Sequence, residues 1–458
     1  MSMEVLLATM KRMLPRPIFL LLQPMYHFML GFAAAAVYGF PSRHISVIGV
    51  TGTKGKTTVV HLLHDILASS GEKVASLSSL RFRIGEREEE NQLKMTMPGR
   101  FFLQKFLRRA VRAGCRWAVI EVTSQGIAQS RHRFIKFGAA VMTNVAPEHI
   151  EAHGSFERYL RSKLDLFWRL RPSAVAIINR DDPQSRRFCA ATAAVPLLYG
   201  RMGIDVKIKS WPVREVVIGS NGISFDIGDQ QFTSTLIAEF NFYNILAAIT
   251  TGLSQHLRLE KMARAVAEFS GVAGRMEFIA RQPFAVVVDY AHTPDSLRSV
   301  YQTLRSEGQT ANGKRQKING KRQKTKAEGR RMICVLGSAG GGRDRWKRPE
   351  LGKIAAEFCE EIILTNEDPY DEDQTAILEE IASGLPLCPK PKTQNPRPQK
   401  ILDRRTAIQA ALQSAKPGDT VVITGKGAEP WIMGRDGGKI PWDDRAVARE
   451  ELQKCYHN

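Results

Sequence analysis

The sequence predicts an α/β protein with two units, each layered on a mostly parallel sheet. Three observations carry this. Short apolar runs alternate with helix-period segments from Ile45 onward. The runs are apolar on both faces, as strands covered by helices on each side must be. An early run leads through a Gly/Thr/Lys loop into an amphipathic segment.

The strand candidates, in order, are Ile45–Val50, Trp117–Val122, Ala139–Thr143, Ala174–Ile178, Phe284–Val288, Met332–Leu336, Glu361–Leu364 and Thr420–Ile423. The segment Lys56–Ser70 places Val59, Val60, Leu62, Leu63, Ile66 and Leu67 on a helical period, and Gly71 stops it. Between Arg201 and Thr235 the pattern turns β-like, with turn signals at Ser220-Asn221-Gly222 and Gly228-Asp229. Residues 306–330 are basic and polar and read as a disordered surface insertion. Residues 385–400 contain five prolines and read as an extended connection.

The first 44 residues differ in kind. Lys11, Arg12 and Arg16 precede an apolar run from Ile18 to Phe40, interrupted by Gln23, Pro24 and His27. Its 23 residues could cross a bilayer. Three readings stay open: a helix docked on the protein's own body, attachment to a membrane surface, and a span. A signal peptide is not expected, because a phosphate-binding loop follows at once.

With 458 residues, 43% hydrophobic and 24% charged, the chain is an ordinary folded protein of two or three domains. Its 66 basic and 46 acidic residues give a formal charge of +20, which suits nucleic acid, an anionic membrane or phosphorylated substrates. Residues 305–331 hold ten basic and two acidic side chains, so +8 of the excess is local. The six cysteines form no C-x-x-C pair, so reduced thiols are expected rather than zinc or disulfides.

The chemistry begins with Thr51-Gly52-Thr53-Lys54-Gly55-Lys56-Thr57-Thr58. A strand leads in and a helix leads out. Backbone N–H groups of such a loop approach phosphate oxygens, and the helix N-terminus adds positive charge. Lys56 is placed to reach the β- and γ-phosphates, and the Thr57 hydroxyl to hold Mg²⁺. The general pattern wants Gly five residues before Gly55, where Val50 stands. Polar residues also close other strands: Glu121, Thr143-Asn144, Asn179 and Asp289. Ligands in open α/β sheets sit beyond these carboxyl ends. His149 and Glu121 are candidate metal ligands.

Together the motifs resemble the Mur ligase family, most closely its MurE type. The matching stretches are TGTKGKTT (51–58), EVTSQGIAQSR (121–131), TNVAPEHIEAHGSFERYLRSK (143–163), NRDDP (179–183), EFNFYNILAA (239–248), GRME (274–277), DYAHTPDSL (289–297), GRDRWKRPELG (342–352), LDRRTAI (402–408) and GKGAEPW (425–431). The resemblance implies a P-loop central ATPase domain over residues 45–278 and a Rossmann-like α/β C-terminal domain over 279–458. It implies an ATP- and Mg²⁺-dependent amide ligase that adds an amino acid, a diamino acid by type, to a muramoyl dipeptide through an acyl phosphate.

By the same resemblance, Thr57 and Glu121 hold one Mg²⁺, while His149 and a carbamylated Lys163 hold a second. Asn179, Asn241, Asn244, Arg275, Asp289 and His292 meet the nucleotide, Arg275 couples the two domains, and Lys347 meets the transferred phosphate. Thr96, Ser124 and Arg131 match positions that hold the muropeptide, although Gln125 stands where His is common and Met97 interrupts a threonine-rich stretch. The amino-acid selector falls at Glu367, Asp368 and Tyr370, with Gly425 and Glu429. Diaminopimelate enzymes carry Asp-Asn-Pro-Arg there. Tyr370 replaces that Arg and cannot clamp a carboxylate bidentately. Glu367, Asp368 and Asp371 favour a cationic side chain, so lysine or a similar basic diamino acid is expected, and Ala428 replaces a usual His.

MurE enzymes carry an N-terminal UDP-binding domain of roughly 90 residues, and here only residues 1–44 precede the ATP domain. A lipid-linked acceptor is one alternative; folylpolyglutamate-like and cyanophycin-like ligation are others. A non-catalytic nucleic-acid-binding protein is a third class, disfavoured by the local origin of the charge. The expected partners are the muropeptide and a free amino acid, with no nucleic acid. A cytoplasmic monomer is expected, with contact of 1–44 to the inner face of the membrane left open among the three readings.

Overall fold

The computed structural model describes residues 16–93, 95–148, 153–206, 209–219, 221–311, 331–342, 344–386 and 398–457. Six parallel strands form the centre of the first sheet: β1 (Ser46–Thr51), β2 (Val74–Leu77), β3 (Trp117–Glu121), β4 (Phe137–Met142), β5 (Val175–Asn179) and β6 (Val195–Gly200). Their spatial order is β6-β5-β4-β1-β3-β2. Antiparallel strands extend both edges. On one side, Lys209–Gly219, Gly222–Ile227 and Gln230–Ser234 form the meander that the turn signals predicted.

Register matters more than strand count here. β1 is central, with Val50 opposite Glu121 of β3 and Thr51 opposite Met142 of β4. The carboxyl ends of three strands therefore meet at one level, where the loop after Thr51 begins. Helix α1 (Arg16–Val37) precedes the sheet, and α2 (Lys56–Ala68) follows the loop. α2 packs on one face of the sheet beside Glu239–Ser254, burying Val59, Leu62, Leu63 and Ile66 against Ile48, Val119 and Val141. The helices Arg100–Arg112 and Phe156–Trp168 cover the other face.

The second sheet has parallel strands β7 (Ala285–Asp289), β8 (Met332–Leu336), β9 (Glu361–Leu364) and β10 (Thr420–Thr424) in the order β7-β10-β8-β9. Apolar clusters fill both of its faces. All eight strand candidates are strands, shifted by up to two residues at either end.

Three expectations change, and one of the open readings of the first segment is borne out. The loop expected from 306 begins later, because the helix Pro294–Ala311 continues through it; residues 312–330 lie outside the described residues. The extended connection at 385–400 ends in a two-residue edge strand, Gln399–Lys400, and residues 387–397 lie outside the description. Cys334 in β8 and Cys359 are joined as a disulfide, against the expectation of reduced thiols. Cys359 ends the helix that returns the chain to β9, the neighbour of β8, and the two Cα atoms lie 6.1 Å apart. Spacing along the chain gives no sign of such a pair. Finally, α1 docks on the body. Gly31, Ala34 and Ala35 form its buried face, and Phe134 lies edge-on to Phe28 and Phe32 at 5.0 and 5.6 Å. Arg108 donates to the carbonyls of Tyr38 and Gly39 just beyond the helix at 2.7 and 2.8 Å, which suits the negative end of the helix dipole. Among the described residues, no helix is long and apolar enough to cross a membrane.

His61 and His64 sit buried in α2, with His61 Nε2 2.9 Å from Ser78 Oγ. Burial pushes both imidazoles down to about 3 from the ordinary 6.5. The unfolded chain takes up protons below about pH 6.5 that the folded chain refuses, so stability is lost as pH falls through that window. We expect the urea midpoint to drop between pH 7 and 5, and His64→Leu to flatten the drop.

Candidate active site

The phosphate loop takes its shape from the strand end beside it. Lys54 N–H donates to Asn144 Oδ1 at 2.9 Å, and Asn144 Nδ2 and Thr143 Oγ1 donate to Lys54 O at 3.1 and 2.7 Å. Thr53 Oγ1 lies 2.9 Å from the Tyr159 hydroxyl. Gly55 closes the turn at φ +82°, where a Cβ would meet Asn244 Oδ1 at 2.2 Å, so no side chain fits. With its carbonyls engaged inward, the turn leads directly into the N-terminus of α2, an anion-binding arrangement. Lys56 Nζ donates to Thr53 O at 2.8 Å and Gly52 O at 3.1 Å. Burial pushes its ammonium down, and Glu121 and Glu148 oppose that shift.

Thr57 Oγ1 lies 3.1 Å from Glu121 Oε2 and 3.0 Å from Ser79 Oγ; Ser79 N–H donates to the same carboxylate oxygen at 3.1 Å. Among the described residues no three His, Cys, Asp or Glu side chains converge as a metal cage. Mg²⁺ does not need one. It takes one or two protein oxygens and completes its shell with water and substrate phosphates. Thr57 and Glu121 beside the phosphate loop are such a set. Ser79 was not among the sequence candidates. It follows the short strand β2, which its composition does not announce.

Lys163 is buried and donates to Gly52 O at 2.7 Å, with its Nζ 4.5 Å from the Tyr159 ring centre. Burial, then the neighbouring Lys56, push its ammonium well below the usual lysine range. His149 lies outside the described residues.

The nucleotide candidates gather around this loop from both sheets. Asn179 Nδ2 donates to Thr143 O at 2.9 Å, and Asn244, which faces Gly55, donates to Asn241 Oδ1 at 3.1 Å. Asp289, at the end of β7, accepts from the backbones of Met276 and Ala291, both at 2.6 Å. This anchors the turn carrying Arg275, whose guanidinium lies 3.9 Å over the Tyr290 ring. His292 Nε2 lies 3.7 Å from Glu148, and Lys54 pairs with that same Glu148 at 2.7 Å. Glu148 therefore links the phosphate loop to the second sheet. Neither it nor Tyr290 was singled out, although both lie inside quoted motifs. Burial, then Lys54 and Lys347, hold His292 well below the usual histidine range, so it is neutral. Lys347 is buried and lowered by desolvation.

The acceptor candidates meet on one side of the loop. Ser124 Oγ lies 3.1 Å from His153 Nε2; Arg131 donates to Gln129 Oε1 at 2.6 Å and to Met97 O; Thr96 is half-buried beside them. The selector candidates meet at the ends of β9 and β10. Buried Lys426 binds Asp368 at 2.9 Å and Glu429 at 2.6 Å, and Tyr290 donates to Glu429 at 2.9 Å. Two of the selector acids are thus matched within the protein, which the sequence did not reveal. Glu367 is different. Its Oε2 is buried with no hydrogen-bond partner among the described residues, and burial raises its carboxyl to about 7. Gly425 is needed beside it: a Cβ there would lie 2.4 Å from that oxygen. Tyr370 stands half-buried next to this pocket, with φ +52°.

A phosphate loop, a hydroxyl–carboxylate pair beside it and a second α/β sheet that brings His292 next to the loop's Lys54–Glu148 pair fit a nucleotide-dependent ligase class. Comparison with known proteins agrees. Residues 50–252 match the Mur ligase middle domain and 274–427 the Mur ligase, glutamate ligase domain. The chain is 38% identical over 428 residues to the UDP-N-acetylmuramoyl-L-alanyl-D-glutamate--2,6-diaminopimelate ligase of Gloeobacter violaceus, spanning 92% of this chain and 80% of that one. A solved structure of a ligase of the same name aligns over 95% of this chain and 84% of that one, at TM-score 0.59 and 26% identity. Folylpolyglutamate synthase of Mycobacterium tuberculosis, solved with ADP and AMPPCP, shares the fold at TM-score 0.66 and 18% identity, over 87% and 92% of the two chains. The chain belongs to the Mur ligase family and is an ATP-dependent amide ligase.

Glu121→Gln keeps the hydrogen-bond acceptor to Thr57 but removes the charge. We expect ATP-dependent phosphate release to fall about 100-fold or more, with a raised Mg²⁺ requirement, while titration with ADP shows nucleotide binding retained.

Proposed function

We propose that this chain joins the amine of a diamino acid to the free carboxylate of a muramoyl dipeptide in peptidoglycan precursor synthesis. The carrying observation is the convergence of Thr57, Glu121 and Lys163 on one phosphate loop, with the acceptor and selector residues on its two sides. In the balanced reaction, a carboxylate oxygen attacks the γ-phosphorus and ADP leaves. The amine then attacks the acyl carbon, phosphate leaves, and the nitrogen gives up a proton. Mg²⁺, held by Thr57 and Glu121, would neutralise the crowded phosphate oxygens. The loop N–H groups and Lys56 orient the phosphates; Asn179, Asn241, Asn244, Asp289 and His292 position the base and ribose; Arg275 and Lys347 bring the second domain to the transferred group. Thr96, Ser124 and Arg131 hold the acceptor. Residues 45–278 and 279–458 act as the two catalytic domains of a cytoplasmic monomer working at the inner face of the membrane.

The surroundings of Lys163 favour its carbamate. Carbon dioxide reacts with the neutral amine, forming an N–C bond and releasing one proton, and a lysine whose ammonium is disfavoured by burial presents that amine. The product would be an anionic oxygen ligand, which together with His149 would hold a second Mg²⁺. Lys163→Ala should abolish phosphate release; near-normal turnover of that variant would overturn the role.

For the incoming amino acid, Glu367 is the selector acid with a buried oxygen that has no hydrogen-bond partner among the described residues, and Tyr370 offers no guanidinium. A cationic distal group, as in lysine, suits this pocket better than the distal carboxylate of diaminopimelate. The test is phosphate release against a panel of amino acids with UDP-linked and lipid-linked dipeptide acceptors. Lysine should exceed diaminopimelate in kcat/KM, and Tyr370→Arg should move the ratio toward diaminopimelate by about tenfold. A wild-type preference for diaminopimelate would refute the selector reading and leave the ligase reading intact.

A further inference from the structure

One face of α1 remains largely exposed although the helix packs on the body. Met25, Phe28, Met29 and Phe32 recur at helical spacing on it, and Met25 and Met29 are 61% and 58% exposed. Five of the fourteen large apolar side chains exposed among the described residues belong to this one helix, so the stripe is a concentration rather than ordinary surface scatter. Beside Phe28 opens a groove of about 390 Å³, bordered by Phe134, Ile135 and Trp168, the last 50% exposed.

The charge around this apolar face is one-sided. Arg133 lies 5.7 Å from the Phe28 ring, and Arg43 lies 4.6 Å from Phe40, which in turn contacts Phe32. Arg169 borders the groove and pairs with Asp165. Helix α1 contains no acidic residue. An apolar stripe rimmed by arginines matches a bilayer with anionic headgroups: the apolar side chains enter the acyl boundary and the guanidiniums remain at headgroup level.

The adjoining buried face of α1 meets the acceptor side of the site. Gly31 packs against Phe134 and Ser130, and Ser130 adjoins Gln129, which accepts hydrogen bonds from both Arg100 and Arg131. Phe134, which meets both Phe28 and Gly31, thus connects the apolar stripe to the segment that carries the acceptor residues.

We propose that α1 docks the protein on an anionic lipid surface, which places the acceptor cleft beside that surface. The docking stands on the stripe and its charged rim; its use, the presentation of a membrane-borne acceptor, rests on the proposed function. Binding strength follows the apolar area inserted together with attraction to anionic lipid, so it weakens with salt.

The test uses the full-length protein and sedimentation with vesicles of phosphatidylcholine alone or mixed with phosphatidylglycerol. The protein should pellet with the mixed vesicles, less so at high salt. Met25→Ser/Met29→Ser should weaken the binding by about tenfold, because neither side chain is buried in the fold. Phosphate release with a soluble, nucleotide-linked acceptor should be unchanged in that variant. Equal vesicle binding by wild type and variant would overturn the proposal. So would a dimer in sedimentation velocity that the double substitution dissolves without any vesicle binding, since a second copy would then cover the stripe. A protein that binds vesicles but turns over no muropeptide would count against the ligase reading only.

Discussion

The site depends on how the carbonyl groups of the phosphate loop are satisfied. A loop that offers its N–H groups to a ligand still has carbonyl oxygens to place, and buried ones need donors. Thr143 and Asn144, at the end of β4, supply two of them to Lys54 O, and Lys163 supplies one to Gly52 O. The β4 end is level with the loop because β1 pairs with β4 and β3 in one register. A slip of one residue would turn Glu121 to the other face of the sheet and misplace Thr143 together. Sheet register is therefore the structural cause of the Thr57–Glu121 contact.

The second dependence is electrostatic and crosses between the sheets. Glu148 receives Lys54 and approaches His292, while Lys347 and Lys54 both act on that imidazole. Lys54, Lys56, Lys163, Arg275 and Lys347 concentrate positive charge around the phosphate loop, with Glu121, Glu148 and Asp289 as the nearby acids. Such a set is costly for a protein to assemble in a desolvated cleft, as the lowered lysines show. The expense is intelligible where several phosphate oxygens must be neutralised at once, because preorganised charge in a dry site acts strongly on a transferring phosphoryl group. Buried Arg348 and Arg404 differ in kind. Both are held by acids and carbonyls of the protein itself, Arg404 by Asp444, Thr424 and Asn366, and Arg348 through its two terminal nitrogens by Glu380, Glu372 and the Ala339 carbonyl.

What was legible in the sequence followed from physical regularity. Buried parallel strands must be apolar on both faces, so β1, β3, β4 and β5 stood out; β2 did not, because four residues, Val-Ala-Ser-Leu, carry no run. Ser79 was lost with it. The phosphate loop was legible because glycine spacing and the lysine are dictated by the ligand. Asn144 and Glu148 lay in quoted stretches, but their work is to bind the protein's own loop, and that requirement appears only when two distant segments meet. The Lys426 contacts to Asp368 and Glu429 were hidden for the same reason, and they change the selector most. Of the three acids read from sequence as a cation trap, Asp368 is matched by the lysine, Asp371 accepts from the Asp436 backbone N–H at 3.0 Å, and Glu367 keeps one buried oxygen without a hydrogen-bond partner among the described residues.

That reduction has a consequence for specificity. Acids already paired to a buried lysine are held rigid and are partly neutralised, so they shape the pocket more than they attract charge. Discrimination then rests on a small number of unpaired groups, and burying a substrate's charge without a partner is what rejects it. A distal ammonium would find Glu367, whose own burial cost falls when a cation arrives beside it. A distal carboxylate would find Glu367 and the Tyr370 ring, with Lys426 already engaged. On the proposed reading, selection turns on which ligand charge the pocket leaves unanswered, with the unpartnered Glu367 oxygen beside Gly425 as its centre.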